Sequence, residues 1–293
     1  MTDPLKIAVI VKPSPSTTRR DDRNMGMWSY PVPEFEWDFS SLGNGFLERR
    51  VQFHDYDLIF MEDGGNWGKF LGENGPRIVY YSIDSTLTDA HYQKRLRQAS
   101  FSDLVLVDHD KPARFKASGR PVVQVPFCVN DRLFAPREKT IDVCFHCGAG
   151  ASNPGGPART ATRQTLGEIC ARHGWSYVSG AKGLDEYALH MGQAKVVVNI
   201  PRTPINRPHR VHDAMASGAA LLTAPIPWIA EDKIEPSKHY RVIGDLERDL
   251  IDLLDNGKWQ ELADRGHNVN QAFHTWAHRA QEMRALFADR WGL

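Results

Sequence analysis

Cysteine is scarce in this chain of 293 residues: Cys128, Cys144, Cys147 and Cys170 are the four present, at irregular intervals. Small stapled domains are far denser in thiols, so a disulfide framework is excluded and a reducing, cytoplasmic setting is expected. Long apolar runs are missing as well. No stretch reaches the roughly 20 residues a membrane-spanning helix needs, and the opening MTDPLKIAVIV enters a strand-like run with no basic leader or cleavable apolar segment before it. An excess of either charge is also lacking, since 36 Lys and Arg offset 36 Asp and Glu at a pI near 7.2. Nothing global therefore steers the molecule toward nucleic acid or an anionic bilayer. What is there is ordinary, 41% hydrophobic and 25% charged at a mean hydropathy of −0.45, a composition that buries cores and differs from that of disordered chains. The length suits two α/β units better than one.

Short β-branched runs bounded by turn residues recur through the first half: Ile7 to Val11, Leu58 to Met61, Ile78 to Tyr81, Leu104 to Val107 and Val122 to Val125. They read as buried parallel strands, with Asp89 to Ala99 and Pro112 to Ala117 as helical crossovers. Residues 13 to 45 break the rhythm with charges and then Trp28, Tyr30, Phe35, Trp37 and Phe39, an irregular insert that suits either a lid or an ordered aromatic loop. The stretch FCVNDRLFAPREKT reads as a linker. The pattern then restarts with a strand over Ile141 to Cys147, helices near Ala158 to Arg172, Leu184 to Ala194 and Pro208 to Ser217, strands at Trp175 to Val178, Val196 to Ile200 and Ala220 to Thr223, and C-terminal helices. Two Rossmann-like domains are expected, over residues 1–136 and 137–272, followed by a terminal segment, 273–293.

Several residue patterns carry chemistry. Cys144, His146 and Cys147 look like metal ligands, but structural zinc spacing is absent, and a buried strand ending in small thiols is the preferred reading, with no metal expected. In the turn GAGASNPGGP, Gly148 and Gly150 are placed as in a dinucleotide fingerprint, whereas Asn153 stands where its third glycine belongs. Arg159 and Arg163 lie four apart on the first turns of a helix, where the macrodipole disfavours positive charge. Either an anion such as a diphosphate relieves that conflict, or both are solvated surface side chains. The segment VVVNIPRTPINRPHRVHDAMASGAALLTAP runs strand, loop, helix, glycine stop and strand. On its helix His209 and Asp213 share a polar face expected at the mouth of the sheet, with Val211, Ala214 and Met215 toward the core. Asp213 is the candidate for ribose hydroxyls, which open α/β sheets bind near strand ends. Asp84, before a helical pattern, suits a helix N-cap, a catalytic base, or both. The turn Glu62 to Gly68 has the glycines for close backbone approach to a ligand.

The segment HRVHDAMASGAALLT resembles the nucleotide-sugar-binding segment of GT-B glycosyltransferases, especially the CgeB-like group related to spore maturation proteins. That group shows an arginine, an aliphatic residue, an aromatic residue and a glutamate before a small-residue helix. Arg210 and Val211 match, while His212 replaces the aromatic and Asp213 the glutamate. The resemblance extends back through VVVNIPRTP and Asn206 and forward to FHTWAHRAQEM, and VYYSIDSTLTDAHYQKR is similar to a segment of the group in which an aspartate follows a strand at the cleft. It implies two Rossmann-like domains facing a cleft, a C-terminal helix crossing back to the first domain, and metal-independent transfer of a hexosyl or pentosyl group to an acceptor hydroxyl. The donor would be a nucleotide-sugar, UDP-linked, as co-substrate, with no tightly bound cofactor and no obligate protein partner. Donor contacts would come from Gly148, Gly150, Arg159, Arg163, Asn206, His209, Arg210 and Asp213, and the base would be Asp84, with His91 and Asp63 next. The acceptor stays open among a small molecule, a glycan and a hydroxylated DNA base, the last on a groove of Arg19, Arg20, Arg23, Lys94, Arg95 and Arg97. Two other classes stay open: a non-catalytic nucleotide or sugar binder on the same fold, and a nucleotide-dependent oxidoreductase, disfavoured by the missing glycine.

Overall fold

The computed structural model describes residues 3–11, 32–38, 55–62, 75–82, 89–108, 112–147, 156–181, 183–202, 208–226 and 233–293. Contacts gather them into two compact units. One holds the described residues up to Pro126 together with Ala277–Leu293, and the other holds Phe127–Trp276.

The first unit is a parallel sheet of β1 (Leu5–Val11), β2 (Phe35–Asp38), β3 (Leu58–Glu62), β4 (Arg77–Ser82), β5 (Leu104–Val107) and β6 (Val122–Gln124), in the order β2-β1-β3-β4-β5-β6. Helix α1 (Asp89–Ala99) joins β4 to β5, and α2 (Pro112–Phe115) continues as a 3-10 turn over Lys116–Ser118 before β6. The central strands are near-continuous apolar runs because both of their faces are covered. Leu58, Ile59, Phe60, Val79, Tyr80 and Leu104 to Val107 are all enclosed. Strand β2 falls inside the insert read as irregular. Its four residues, Phe-Glu-Trp-Asp, pair in parallel with β1, and Phe35 is buried with its ring 6.2 Å from that of Phe287. Phe287 lies on α8 (Trp276–Trp291).

The second unit contains β7 (Ile141–Phe145), α3 (Gly156–His173), β8 (Tyr177–Ser179), α4 (Leu184–Gln193), β9 (Ala194–Asn199), α5 (Arg210–Ala216), β10 (Ala220–Thr223), β11 (Arg241–Val242), α6 (Leu246–Leu254) and α7 (Trp259–Phe273). Its parallel sheet runs β8-β7-β9-β10-β11. Strand alternation sorts the core into two layers. Cys144, Val197 and Leu221 pack with Leu184, Tyr187 and Met191 of α4 and Val211, Ala214 and Met215 of α5. Val143, Phe145, Cys147, Val196 and Leu222 pack with α3, α6 and α7. Gly218 ends α5 at φ 62°, the left-handed turn that closes a helix before a strand. The first part of the stretch read as a linker is instead buried in this unit, while Pro136 to Glu138 are exposed. Phe127, Cys128, Val129 and Phe134 are enclosed, and the Val129 N–H donates to the His274 carbonyl at 2.8 Å. Asn130, whose side chain accepts from the Arg132 and Leu133 amides, makes the turn between these apolar residues.

Candidate functional site

In the second sheet β7 is flanked by β8 on one side and β9 on the other. The chain leaves β7 through α3 on one face and enters β9 from α4 on the opposite face. Such a reversal separates the loops at the carboxyl ends of the two strands and leaves a crevice there, where open α/β sheets take their ligands. Here those ends are His146 and Cys147 after β7, Asn199 and Ile200 at the end of β9, and beside them Thr223 of β10.

Both arginines of α3 reach this point. Arg159 Nε donates to the Ile200 carbonyl at 3.1 Å, and Arg163 Nη2 to the Cys147 carbonyl at 2.9 Å. Each therefore meets the carbonyl that ends one switch-point strand, Arg159 buried and Arg163 half-buried. A guanidinium has five N–H donors, and the Nε of Arg163 is buried with no partner among the described residues. Arg159 is 3% exposed, and its pKa is lowered first by burial and then by the charges of Arg210 and Arg202 nearby. Arg210, the first residue of α5, donates from Nη1 to Asn199 Oδ1 at 2.8 Å, and Asn199 Nδ2 donates to Thr223 Oγ1 at 2.9 Å. A hydrogen-bonded row thus crosses the ends of β9 and β10 and carries a cation to the switch point.

Asp213 lies one turn further along α5. The sequence placed it on a polar face at the mouth of the sheet, and there it is fully enclosed, with His212 beside it at 2% exposure. Tyr187 of α4 donates its hydroxyl to Asp213 Oδ2 at 2.8 Å, and Asn270 of α7 donates to the His212 carbonyl at 2.8 Å, so neighbouring helices enclose this part of α5. Burial pushes the Asp213 carboxyl up to about 8, against the Tyr187 hydrogen bond and the Arg210 charge, which both pull it down. Among the described residues Asp213 Oδ1, Arg210 Nε, Arg163 Nε and His146 Nδ1 are buried with no hydrogen-bond partner. Such orphans are costly in a folded protein unless a ligand or water meets them. Here one carboxylate acceptor, two guanidinium donors and an imidazole nitrogen are gathered in one unit at the same end of its sheet.

His146 is 6% exposed and sits 3.1 Å from His190, from Nε2 to Nδ1. Burial, His190 and Arg210 pull its pKa down to about 4, so it is neutral near pH 7. Cys144 and His146 face one layer of the core and Cys147 the other, so strand alternation keeps the two thiols from sharing an ion. His209 precedes α5 with its ring 3.5 Å from that of Phe127.

Asp63, Asp84, Gly148, Gly150 and Asn206 lie outside the described residues, as do Arg19, Arg20 and Arg23. His91 belongs to α1, and its side chain lies outside them too. Arg95, expected to line a nucleic-acid groove beside Lys94 and Arg97, is 8% exposed and donates to Gln98. The structure thus brings together Arg159, Arg163, Arg210 and Asp213. It adds Tyr187, Asn199, Thr223 and His146, which sequence reasoning did not place at the site. The signal for Asn199 was a polar residue ending the all-valine strand VVVN.

Residues 157–285 match the profile of the glycosyl transferase-like family. Curated protein sequences return no match. Among solved structures the chain is similar to sucrose-phosphate synthase from Thermosynechococcus elongatus, at TM-score 0.62 and 14% identity over 98% of this chain and 99% of that one. It is similar to HepE of Anabaena, solved in complex with UDP and glucose, at TM-score 0.62 and 12% identity over 97% and 99%. A glycosyltransferase from Rickettsia africae matches at TM-score 0.58 and 6% identity over 98% and 99%. The fold is that of GT-B glycosyltransferases, two parallel α/β units.

Proposed function

We propose that this chain, whose fold is GT-B and whose second unit carries the glycosyl transferase-like pattern, moves a sugar from a UDP-linked donor to an acceptor hydroxyl. The observation that carries the reading is the convergence of Arg159, Arg163 and Arg210 on the β7/β9 switch point, with Asp213 one turn along α5 from Arg210. Guanidinium forks suit diphosphate oxygens, and a carboxylate acceptor suits ribose hydroxyls. HepE, of similar fold, was solved with UDP-glucose, which supports UDP as the nucleotide.

In transfer, charge develops on the diphosphate as the glycosidic bond breaks. Cationic groups already fixed by carbonyl and amide partners stabilise that charge without reorganising. They supply what a divalent ion would, so the transfer proceeds without a metal. Gly148, Gly150, Asn206 and His209 complete the donor site in this reading. The acceptor hydroxyl loses its proton to a base at the strand ends of the first unit. Asp84 is the candidate, two residues past the end of β4, with His91 and Asp63 next, the latter following β3 directly.

Titration calorimetry with UDP, other nucleoside diphosphates and UDP-glucose tests the donor site. Saturable binding of UDP is expected, weakened roughly tenfold in Asp213→Ala, as loss of a hydrogen bond of about 1.5 kcal/mol implies. A folded protein that binds nothing across the panel would sink the reading. Asp84→Asn is expected to keep UDP affinity while losing roughly 100-fold or more of turnover. Unchanged turnover would remove Asp84 from its role.

A further inference from the structure

Asp213 reaches its place by way of a residue that neither the sequence motif nor the family pattern singles out. Tyr187 is buried among its neighbours on α4 and β7, and its ring is held on two sides. Phe134 meets it at 5.5 Å and 78°, and His146 at 5.4 Å and 67°, both edge-to-face contacts. His146 is itself fixed by the 3.1 Å contact with His190, their rings 5° from parallel. The Tyr187 hydroxyl thus has one orientation, aimed at Asp213 Oδ2 at 2.8 Å. That bond occupies one carboxylate oxygen and leaves Oδ1 as the acceptor with no partner among the described residues.

Building on the donor reading above, we propose that Tyr187 is a positioning residue of the nucleotide site, fixing the Asp213 carboxyl so that Oδ1 is presented to the ribose. The group is shorter than the glutamate of the resembling family, and a short carboxylate has less freedom to find a hydroxyl for itself. A rigid phenol behind it supplies the orientation, so little is left to organise on binding.

A hydrogen bond to the ionised form favours that form, so Tyr187 also holds the carboxyl more acidic than burial alone would. The groups acting on Asp213 are Tyr187 from α4 and Arg210 on α5 itself; His146 after β7 lies against Tyr187, and the neutral Asn270 of α7 donates to the carbonyl of the preceding His212. An ionised carboxylate is the stronger acceptor for a hydroxyl, so UDP affinity rises with pH through the Asp213 titration.

The test compares Tyr187→Phe with wild type. UDP affinity is measured by calorimetry between pH 6 and 10, and the Asp213 carboxyl carbon is followed by 13C NMR over the same range. Expected are an inflection in affinity at alkaline pH in wild type, its displacement to higher pH in Tyr187→Phe together with the carboxyl titration, and several-fold weaker binding at pH 7.5. Asp213→Asn is expected to remove the inflection in both backgrounds. A general loss of packing would lower the melting temperature without moving the inflection, so a folded Tyr187→Phe with the wild-type pH profile overturns the proposal. A shifted carbon titration with unchanged UDP affinity also overturns it while leaving the donor reading standing. A wild type that binds no nucleotide removes both.

Discussion

The mouth of the second sheet and its far edge use the same residue types to opposite ends. At the edge, Arg241 on β11 is 3.3 Å from Asp249 Oδ1 and 2.7 Å from Asp252 Oδ2, while Lys258 and Asn256 donate to Asp252 Oδ1 at 2.6 and 3.0 Å. Asp249 Oδ2 accepts the Gly244 and Asp245 amides. All four carboxylate oxygens have a cation or an N–H, and the Asp252 carboxyl is held well below the usual range by Lys258, Arg241 and Asn256. At the mouth, Arg210 and Asp213 are closer to the core yet each keeps an unpartnered atom, and the carboxyl is pushed up to about 8. A closed network is complete as it stands. An open one, in a place where orphaned polar atoms are most costly, is what a ligand site looks like before its ligand arrives.

The comparison breaks first at Arg210. Arg210→Ala strips Asn199 Oδ1 of its donor and Asp213 of its cation. An expected loss of about 3 kcal/mol in urea unfolding accompanies loss of UDP binding. A variant as stable as wild type would mean the row across β9 and β10 contributes little. Next come Arg159→Met and Arg163→Met, which keep the apolar stem and remove the fork. Each is expected to weaken UDP roughly tenfold and to flatten the salt dependence of binding. Equal affinity at low and high salt in wild type would count against arginine contacts to diphosphate.

The pH dependence of stability runs in opposite directions for two groups of the mouth. Asp213 has a folded pKa of about 8 against an ordinary 3.8, so the folded chain holds a proton that the unfolded chain has lost between those values. Stability from this group is full at low pH and falls as pH rises toward 8. His146 is opposite: depressed from 6.5 to about 4, it contributes stability that is full above pH 6.5 and is lost as pH falls toward 4. From pH 6.5 to 8 Asp213 acts without His146. Melting temperatures measured across that interval are expected to decline in wild type and to decline less in Asp213→Asn. Parallel curves would place the Asp213 carboxyl outside the enclosed setting described.

The fold was largely legible because buried parallel strands are near-continuous apolar runs that announce themselves. Leu104–Val107 and Ala220–Thr223 come from sequence with the same ends the structure gives. Strands β2 and β11 were not legible: Phe-Glu-Trp-Asp breaks its apolar residues with charges, and two residues make no run. At the site, the conflict of Arg159 and Arg163 with the α3 dipole could be read from spacing alone. Their carbonyl partners, 41 and 16 residues away, could not. The enclosure of Asp213 could not be read for the same reason. Helical spacing puts it on a polar face, and only the crossing of α4, with Tyr187 26 residues earlier in the chain, closes that face. In LDEYALHMGQ the tyrosine reads as one more member of a core stripe with Leu184, Ala188 and Met191, and it is one. Its hydroxyl acquires a purpose when α5 is laid beside it.

The smallest effect is expected at the far edge, and it is the control that gives the others meaning. Asp252 is depressed, not raised, so its contribution is full above its ordinary pKa and is lost only as pH falls below that value. Near pH 7 Asp252→Asn removes an ion pair in which solvent screens the partners, and such pairs contribute little. UDP affinity is expected to be unchanged, and the decline of melting temperature between pH 6.5 and 8 is expected to match wild type. If Asp252→Asn weakened UDP as Asp213→Ala does, the two regions would be energetically coupled across β10. The contrast between an open network that binds and a closed one that merely holds the sheet edge would then fail.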